Sequence, residues 1–398
     1  MLRIDEAERR ARLAVRHRLA PGTRATDPVT TARDLVGLHA TDPMTVYLSA
    51  RARTAGLTRD ALSAALYEER SLLRVVGMRT TMFVVPHDLA AIIDAACARA
   101  AGTTERARLT RWLGSSGAVP GDAGAWLNAV EGETVAALED LGEATASDLV
   151  ARVPGLRVQI PFGEGRTWQG TVGVSTRILF LLAAEGRVIR GRPRGSVVSS
   201  LYRWAPMDRW VPGGLPSMPT DEARAGLVRR WLGAYGPGTL ADLRWWTGWP
   251  LRDLRRALAA VATAEVDLGG EVGLVLAGDA EPEAAPPEGP WAALLPSLDP
   301  TVMGWARRDW FLGPHRAALF DRNGNAGPTA WWNGRVVGGW AQRPDGEVVV
   351  RLLEDPGEEA ARALRDAAGE VGAWLGQVRV VPRFRTPLEA ELAGARQG

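Results

Sequence analysis

Asp34-Leu35-Val36-Gly37-Leu38-His39-Ala40-Thr41-Asp42-Pro43 is the place where two helical patterns meet. Thr31-Ala32-Arg33-Asp34 reads as a capping box with Asp in place of Glu, opening a short helix that carries Leu35, Val36 and Leu38. Asp42-Pro43 reads as the N-cap and first-turn proline of the next helix, with Val46, Tyr47, Leu48 and Ala50 behind it. His39 and Thr41 lie between them, two residues apart. In an extended link their side chains point the same way, close to the positive end of the following helix. Such a position suits a water or an anion held beside a ligand.

Upstream, residues 4–19 read as a basic amphipathic helix, with Arg9, Arg10, Arg12, Arg16 and Arg18 exposed around an Ala/Leu/Val stripe. Downstream, Thr58 caps a helix from about Arg59 to Glu69. Leu72 to Val85 is strand material broken at Gly77, and helices run from His87 to about Leu141. The pattern Thr-x-x-Asp-Leu then recurs, at Thr31–Leu35, Thr145–Leu149 and Thr239–Leu243. After Thr145 the expected order is a second helix (Gln169 to Glu185), a strand (Gly186 to Arg190), a turn over Gly191–Gly195 and a returning strand from Ser196 to Arg203. After Thr239 come a second helix (Leu251 to Ala262) and strands at Glu265–Leu268 and Val272–Leu276, parted by Gly269-Gly270. Helix, turn, helix, hairpin is the winged-helix order, and the first unit follows it with an added helix.

Past a Pro/Glu-rich linker (Glu281 to Pro290) the texture turns to strands. Asn333-Gly334 marks a hairpin turn, Pro344-Asp345-Gly346 another, and a helix (Glu358 to Leu375) and a strand (Val378 to Val381) complete a small domain that reads as a partly closed barrel. The fold class is therefore α+β: three tandem winged-helix units followed by a β-barrel-like domain. The units are residues 1–120 (with the His39 motif), 121–215 (with a basic wing), 216–284 and 285–398.

The chain has 398 residues, too many for one ordinary core, and its 46% apolar and 24% charged residues fit a globular protein. Net charge is only +2, yet all 48 basic residues are Arg, the side chain best suited to bidentate phosphate contacts. Cys97 is the only cysteine, which rules out an internal disulfide and fits a reducing cytoplasm. His17, His39, His87 and His315 are far apart, so no sequence-local metal motif exists and no cofactor is expected. The longest strongly apolar run, Ile178 to Ala184, is too short to span a bilayer, and no apolar segment follows Arg9-Arg10 as an export signal requires.

Arg190, Arg192 and Arg194 crowd one hairpin tip, as wings that ride on nucleic-acid phosphates do. Arg166 and Arg177 flank or lie on the preceding helix and extend the same surface, and Arg79 falls in the strand material of the first unit. Trp245, Trp246 and Trp249 read as core and turn packing.

The sequence resembles the winged-helix DNA glycosylases of the AlkZ/YcaQ type. The residues that carry the likeness are Leu35–Pro43, Glu69-Arg70-Ser71-Leu72, Met78–Pro86, Tyr235-Gly236-Pro237, Trp245–Gly248, Leu295–Pro300, Gly304-Trp305, Gly324–Thr329 and Asn333–Gly338. The resemblance implies three winged-helix units around a DNA channel, a terminal β-barrel, and a monofunctional hydrolase of N7-alkylated purines. The family's Gln-apolar-Gln or Gln-apolar-Asp signature falls on His39-Ala40-Thr41, which departs from it at both polar positions. Cleavage of an already cationic base requires only a sugar of oxocarbenium character to be stabilised and a water held at C1′. Neutral His39 can accept a hydrogen bond from that water, Thr41 can orient it, and Asp42 supplies charge only if capping does not consume it. The expected catalytic residues are His39, Thr41 and Asp42; the expected DNA contacts are Arg79, Arg166, Arg177, Arg190, Arg192 and Arg194. The expected partner is double-stranded DNA carrying alkylated purines, met by a monomer. A DNA-binding protein that kept the fold without turnover is the alternative.

Overall fold

Three small three-stranded sheets recur along the first two-thirds of the chain, each a hairpin carrying one extra short strand. The structure, a computed structural model, describes residues 2–162, 169–281 and 289–394. In the first sheet Leu38–His39 pairs with Met82–Pro86, which pairs in turn with Leu72–Val76. In the second, Ala144–Thr145 joins the hairpin of Val188–Pro193 and Tyr202–Pro206. In the third, Leu2–Arg3 runs parallel to Thr263–Asp267, Leu2 opposite Val266, and Val272–Leu276 closes the hairpin. Helices Pro28–Asp34, Pro43–Arg53 and Arg59–Ser63 serve the first sheet, Ala146–Arg152 and Val174–Ala184 the second, and Leu240–Thr247 and Leu251–Ala259 the third.

The local chemistry accounts for most of these boundaries. Thr145 with Asp148 and Thr239 with Asp242 are reciprocal capping boxes. Thr31 is not a cap. The helix opens earlier, at Pro28, on Asp27, whose carboxylate accepts from the Thr30 amide at 2.8 Å. An Asp-Pro start fixes both the cap and the first-turn φ, and Thr31 is left buried mid-helix against the Thr54 hydroxyl. Asn333 and Gly334 take positive φ of 47° and 82°, the type I′ geometry that matches strand twist.

Other expectations yield to tertiary contacts. Residues Gln159–Phe162 and Gly170–Gly173 form a two-stranded ribbon, and the helix expected from Gln169 starts only at Val174; glycines around β-branched Thr171 and Val172 favour the strand. The hairpin tip falls at residues 194–201 rather than 191–195, with a register break between Arg190 and Pro193. The arginine face of Glu6–Arg16 is not solvated: it docks on Thr220–Tyr235 and Asp309–Leu312. Arg12 is buried on Glu8 and the carbonyls of Asp279 and Glu281. Arg16 pairs with Asp279 and Arg18 with Asp34, while Arg10 donates to the Trp310 carbonyl.

The C-terminal strands Ala292–Leu295, Thr329–Trp332, Arg335–Gln342 and Val348–Leu352 form an open antiparallel sheet covered by Glu358–Leu375, rather than a closed barrel. Val378–Val381 does not join as a strand. The Gln342 side chain takes the place of a ladder there, donating to the Val378 carbonyl at 3.2 Å and accepting from the Val380 amide at 2.8 Å.

The first sheet lies between two apolar cores. Leu38, Ala40 and Val84 face Met44, Val46 and the C-terminal Leu364 and Leu375; Val36, Val75, Phe83 and Val85 face Trp231, Trp246 and Leu89. One buried polar cluster ties this sheet's helix to the terminal domain. Arg53 forms a two-pronged bond to Asp299 (2.6 and 2.9 Å), and Ser49 and the Thr301 amide also bond that carboxylate. The Arg53 guanidinium further reaches the His17 carbonyl and the Thr301 hydroxyl.

Candidate active site

His39 ends a two-residue strand, opposite Phe83. The register puts its ring, Phe83 and Val75 on one face of the sheet, with Ala40 buried on the other. The imidazole meets Phe83 edge-on at 5.3 Å. It is 4% exposed, and neither ring nitrogen has a hydrogen-bond partner among the described residues. Burial, and then the nearby Arg79 guanidinium, hold its pKa down at about 3. His39 is thus neutral at physiological pH, a donor and an acceptor in one ring. Thr41 follows in the link, half-buried, its hydroxyl also without a protein partner.

Asp42 is different. One carboxylate oxygen accepts from the Met44 amide at 2.9 Å and the other from the Arg383 amide at 2.8 Å. Its charge caps the helix Pro43–Arg53 and pins the chain near Arg383, which removes it from the pair free to meet a ligand. From the sheet's opposite face, buried Arg74 donates to the Ala40 carbonyl at 2.9 Å and so fixes the peptide between His39 and Thr41.

The expected DNA-contacting arginines fall in separate places. Arg79 sits at the tip of the first hairpin with φ of 52°, stacked on Trp245. A groove of about 680 Å³ brings it together with Arg177, Arg108 and Arg224; there Arg177 and Arg108 lean on Glu105, and Arg224 on Asp253. Arg190 is not at a tip: it packs on Tyr202 and Trp204 at 5.6 and 4.9 Å. Arg192 pairs with Glu68, and Arg194 is exposed where the strand ends. Arg166 lies outside the described residues. No group of three metal-ligating side chains occurs among the described residues, and no helix there is long and apolar enough to cross a membrane.

Sequence reasoning missed Arg308, which packs on Trp245, and Phe320 and Arg316, which continue the stack beyond it. They stand at least 60 positions from it, so no local spacing could have drawn them together.

The two buried histidines carry a testable consequence. His17, bonded to the Thr301 hydroxyl and the Ala234 carbonyl, is also held down at about 3, by burial first and Arg53 next. The unfolded chain takes up a proton at each near pH 6.5 while the folded chain does not until about pH 3. This stabilisation is complete above that upper limit and is lost as pH falls. Unfolding free energy measured by denaturant titration should drop between pH 6.5 and 4 by up to about 1.4 kcal/mol per pH unit for each histidine. Replacing either histidine by glutamine should flatten the slope.

The helix-and-hairpin scaffold thus holds an unpartnered imidazole at the end of a strand of its first sheet and an unpartnered hydroxyl in the link that follows. Residues 32–374 match the family described as DNA glycosylase AlkZ-like, and the chain belongs to that family. It is similar to the interstrand DNA cross-link repair glycosylase of Streptomyces sahachiroi, 31% identical over 173 residues, a stretch covering 41% of this chain and 46% of that relative. Its fold is similar to that of the solved Streptomyces sahachiroi DNA glycosylase AlkZ, with a TM-score of 0.69 at 22% identity over 92% of this chain and 98% of that one.

Proposed function

We propose that this protein is a monofunctional DNA glycosylase that hydrolyses the N-glycosidic bond of alkylated purines, N7- or N3-substituted, in duplex DNA. Its role is base excision repair or resistance to a genotoxin. The observation that carries this reading is the pair of polar groups without a protein partner, His39 at the end of its strand and Thr41 in the link after it, at the positions where the resemblance places the family signature. A cationic alkylated base leaves with the electrons of the C1′–N bond, and a water oxygen bonds to C1′ and gives up a proton to solvent. His39, neutral and weakly basic, positions that water rather than deprotonating it beforehand. A charged imidazole there would repel the oxocarbenium-like sugar. Thr41 orients the water from the same side.

We read the three helix-and-hairpin repeats as winged-helix units over residues 1–120, 121–215 and 216–284, with residues 285–398 as a β-rich domain. Arg79, Arg177, Arg192 and Arg194 hold the duplex, and the protein works as a cytoplasmic monomer. The tight seating of His39 favours one other reading, a winged-helix DNA-binding protein without turnover.

An abasic-site assay on duplexes bearing a panel of N7 and N3 purine adducts separates the two. The expected result is release of free base from the N7-alkylguanine duplex, leaving an alkali-labile site. Salt-sensitive binding with no release from any adduct would replace the first reading with the second.

A further inference from the structure

Three guanidiniums and two aromatic rings form a continuous stack that starts at Arg79, the cation whose field reaches His39. Arg79 lies 4.1 Å from the Trp245 ring and Arg308 lies 4.5 Å from the same ring. Arg308 is also 5.2 Å from Phe320, on which Arg316 rests at 4.8 Å. The groups come from the first hairpin, the helix Leu240–Thr247 and the segment around Arg316–Leu319, so the fold assembles the stack across three parts of the chain.

The stack has no direct ion pair; the Asp242 carboxylate, which favours charged Arg308, lies beyond ion-pair distance. Among the described residues no carboxylate lies within ion-pair distance of Arg79, Arg308 or Arg316. Arg308 is 3% exposed. Its Nε donates to the Val302 carbonyl at 2.8 Å, but its Nη2 is buried with no partner. Contact with a ring face attracts a cation but leaves such an N–H unsatisfied, and a buried unmade bond to a charged group is costly. Burial, with Arg316 and Arg79 adding their repulsion, holds Arg308 down at about 10, so it stays charged at neutral pH. Three like charges kept together are relieved by an anion, and phosphate oxygens match the guanidinium fork. The rings are occupied by guanidiniums, so Trp245 is not a platform for a stacked base.

We propose that Arg79 and Arg316, held apart by Trp245, buried Arg308 and Phe320, form a track for the sugar-phosphate backbone of the DNA strand that passes His39. This rests on the reading of the chain as a DNA-acting protein and names where one strand runs. The row favours a polyanion: a single free phosphate would neutralise one end only, whereas successive phosphodiesters meet the accessible Arg79 and Arg316 on either side of buried Arg308. Arg79, whose field reaches His39, is the end of the track nearest the motif.

The test is fluorescence anisotropy of the full chain on an undamaged duplex across a salt series. R316Q, at an exposed position, and R79Q should each flatten the dependence of log affinity on log salt by about 0.9, one lost phosphate contact apiece. R362Q, on an exposed face of Glu358–Leu375, should leave the slope unchanged. R308Q is added with a thermal melt, because its buried stem could cost folding. Wild-type slopes in both R316Q and R79Q would overturn the track. So would a rise in Tm on adding inorganic phosphate alone, lost in R308Q, with the DNA slopes unaltered, since that marks a free-anion pocket. Because the duplex is undamaged, failure to release base from alkylated DNA sinks the catalytic reading and leaves this one standing.

Discussion

Asp299→Ala should lower the unfolding free energy by about 3–5 kcal/mol, the cost of stranding a buried charge by removing one partner. Both side chains of the Arg53–Asp299 pair have 0% exposure. Burial alone would push the Asp299 carboxyl up, but Arg53, Ser49 and the Thr301 amide together hold it below its usual range. Without the carboxylate, Arg53 keeps only carbonyl and hydroxyl acceptors for a full positive charge. The effect also travels. The helix Pro43–Arg53 begins directly after the His39–Thr41 link, and the Thr45 hydroxyl donates to the Ser297 carbonyl at 2.7 Å in the same seam. Urea titration measures the loss, and an unchanged midpoint would show that the pair is dispensable. Arg53→Met with Asp299→Leu should recover much of it, since replacing both members of a buried ion pair by apolar groups is often near neutral.

His39→Ala should reduce base release by about a hundredfold to a thousandfold while leaving duplex affinity within a few-fold, because positioning a water by one group contributes on that order. His39→Gln should keep most of the rate: an amide carbonyl accepts the same hydrogen bond and restores the Gln that the resemblance implies at this position. The pH profile provides an independent readout. With the imidazole neutral down to about pH 3, the single-turnover rate should be flat from pH 5 to 8 until unfolding intervenes. An inflection near pH 6.5 that disappears in His39→Gln would show instead that a titrating imidazole acts as base. Wild-type kinetics in His39→Ala would remove the residue from the reaction.

Features written in adjacent residues were legible in the sequence. Asp42-Pro43 starts its helix, Thr145-Asp148 and Thr239-Asp242 close their capping boxes, and Asn333-Gly334 turns its hairpin, because each depends on atoms within one turn. Glu358–Leu375 begins and ends where its apolar spacing and flanking glycines indicate. The failures share a cause as well. Thr31 repeats the capping pattern, yet Asp27-Pro28 upstream holds the start. The arginines of Glu6–Arg16 look solvated by composition but pair with Asp279 and with carbonyls beyond residue 270. Arg190 looks like a wing-tip charge and packs inward on Tyr202. At the candidate site the sequence pointed to His39 and Thr41; that both lack partners, and that Asp42 is spent on two amides, follows only from the folded neighbours.

The parallel pairing of Leu2–Arg3 with Thr263–Asp267 bears on how the chain is made. Leu2–Arg3 is synthesised about 260 residues before its ladder partner exists. Once Thr263–Asp267 and Val272–Leu276 have formed their hairpin, its edge stays open to pairing with another chain until Leu2–Arg3 docks on it, and closing so distant a contact is slow. Pairing with another chain at that edge is therefore a hazard late in synthesis, after the first two sheets have their own strands in hand.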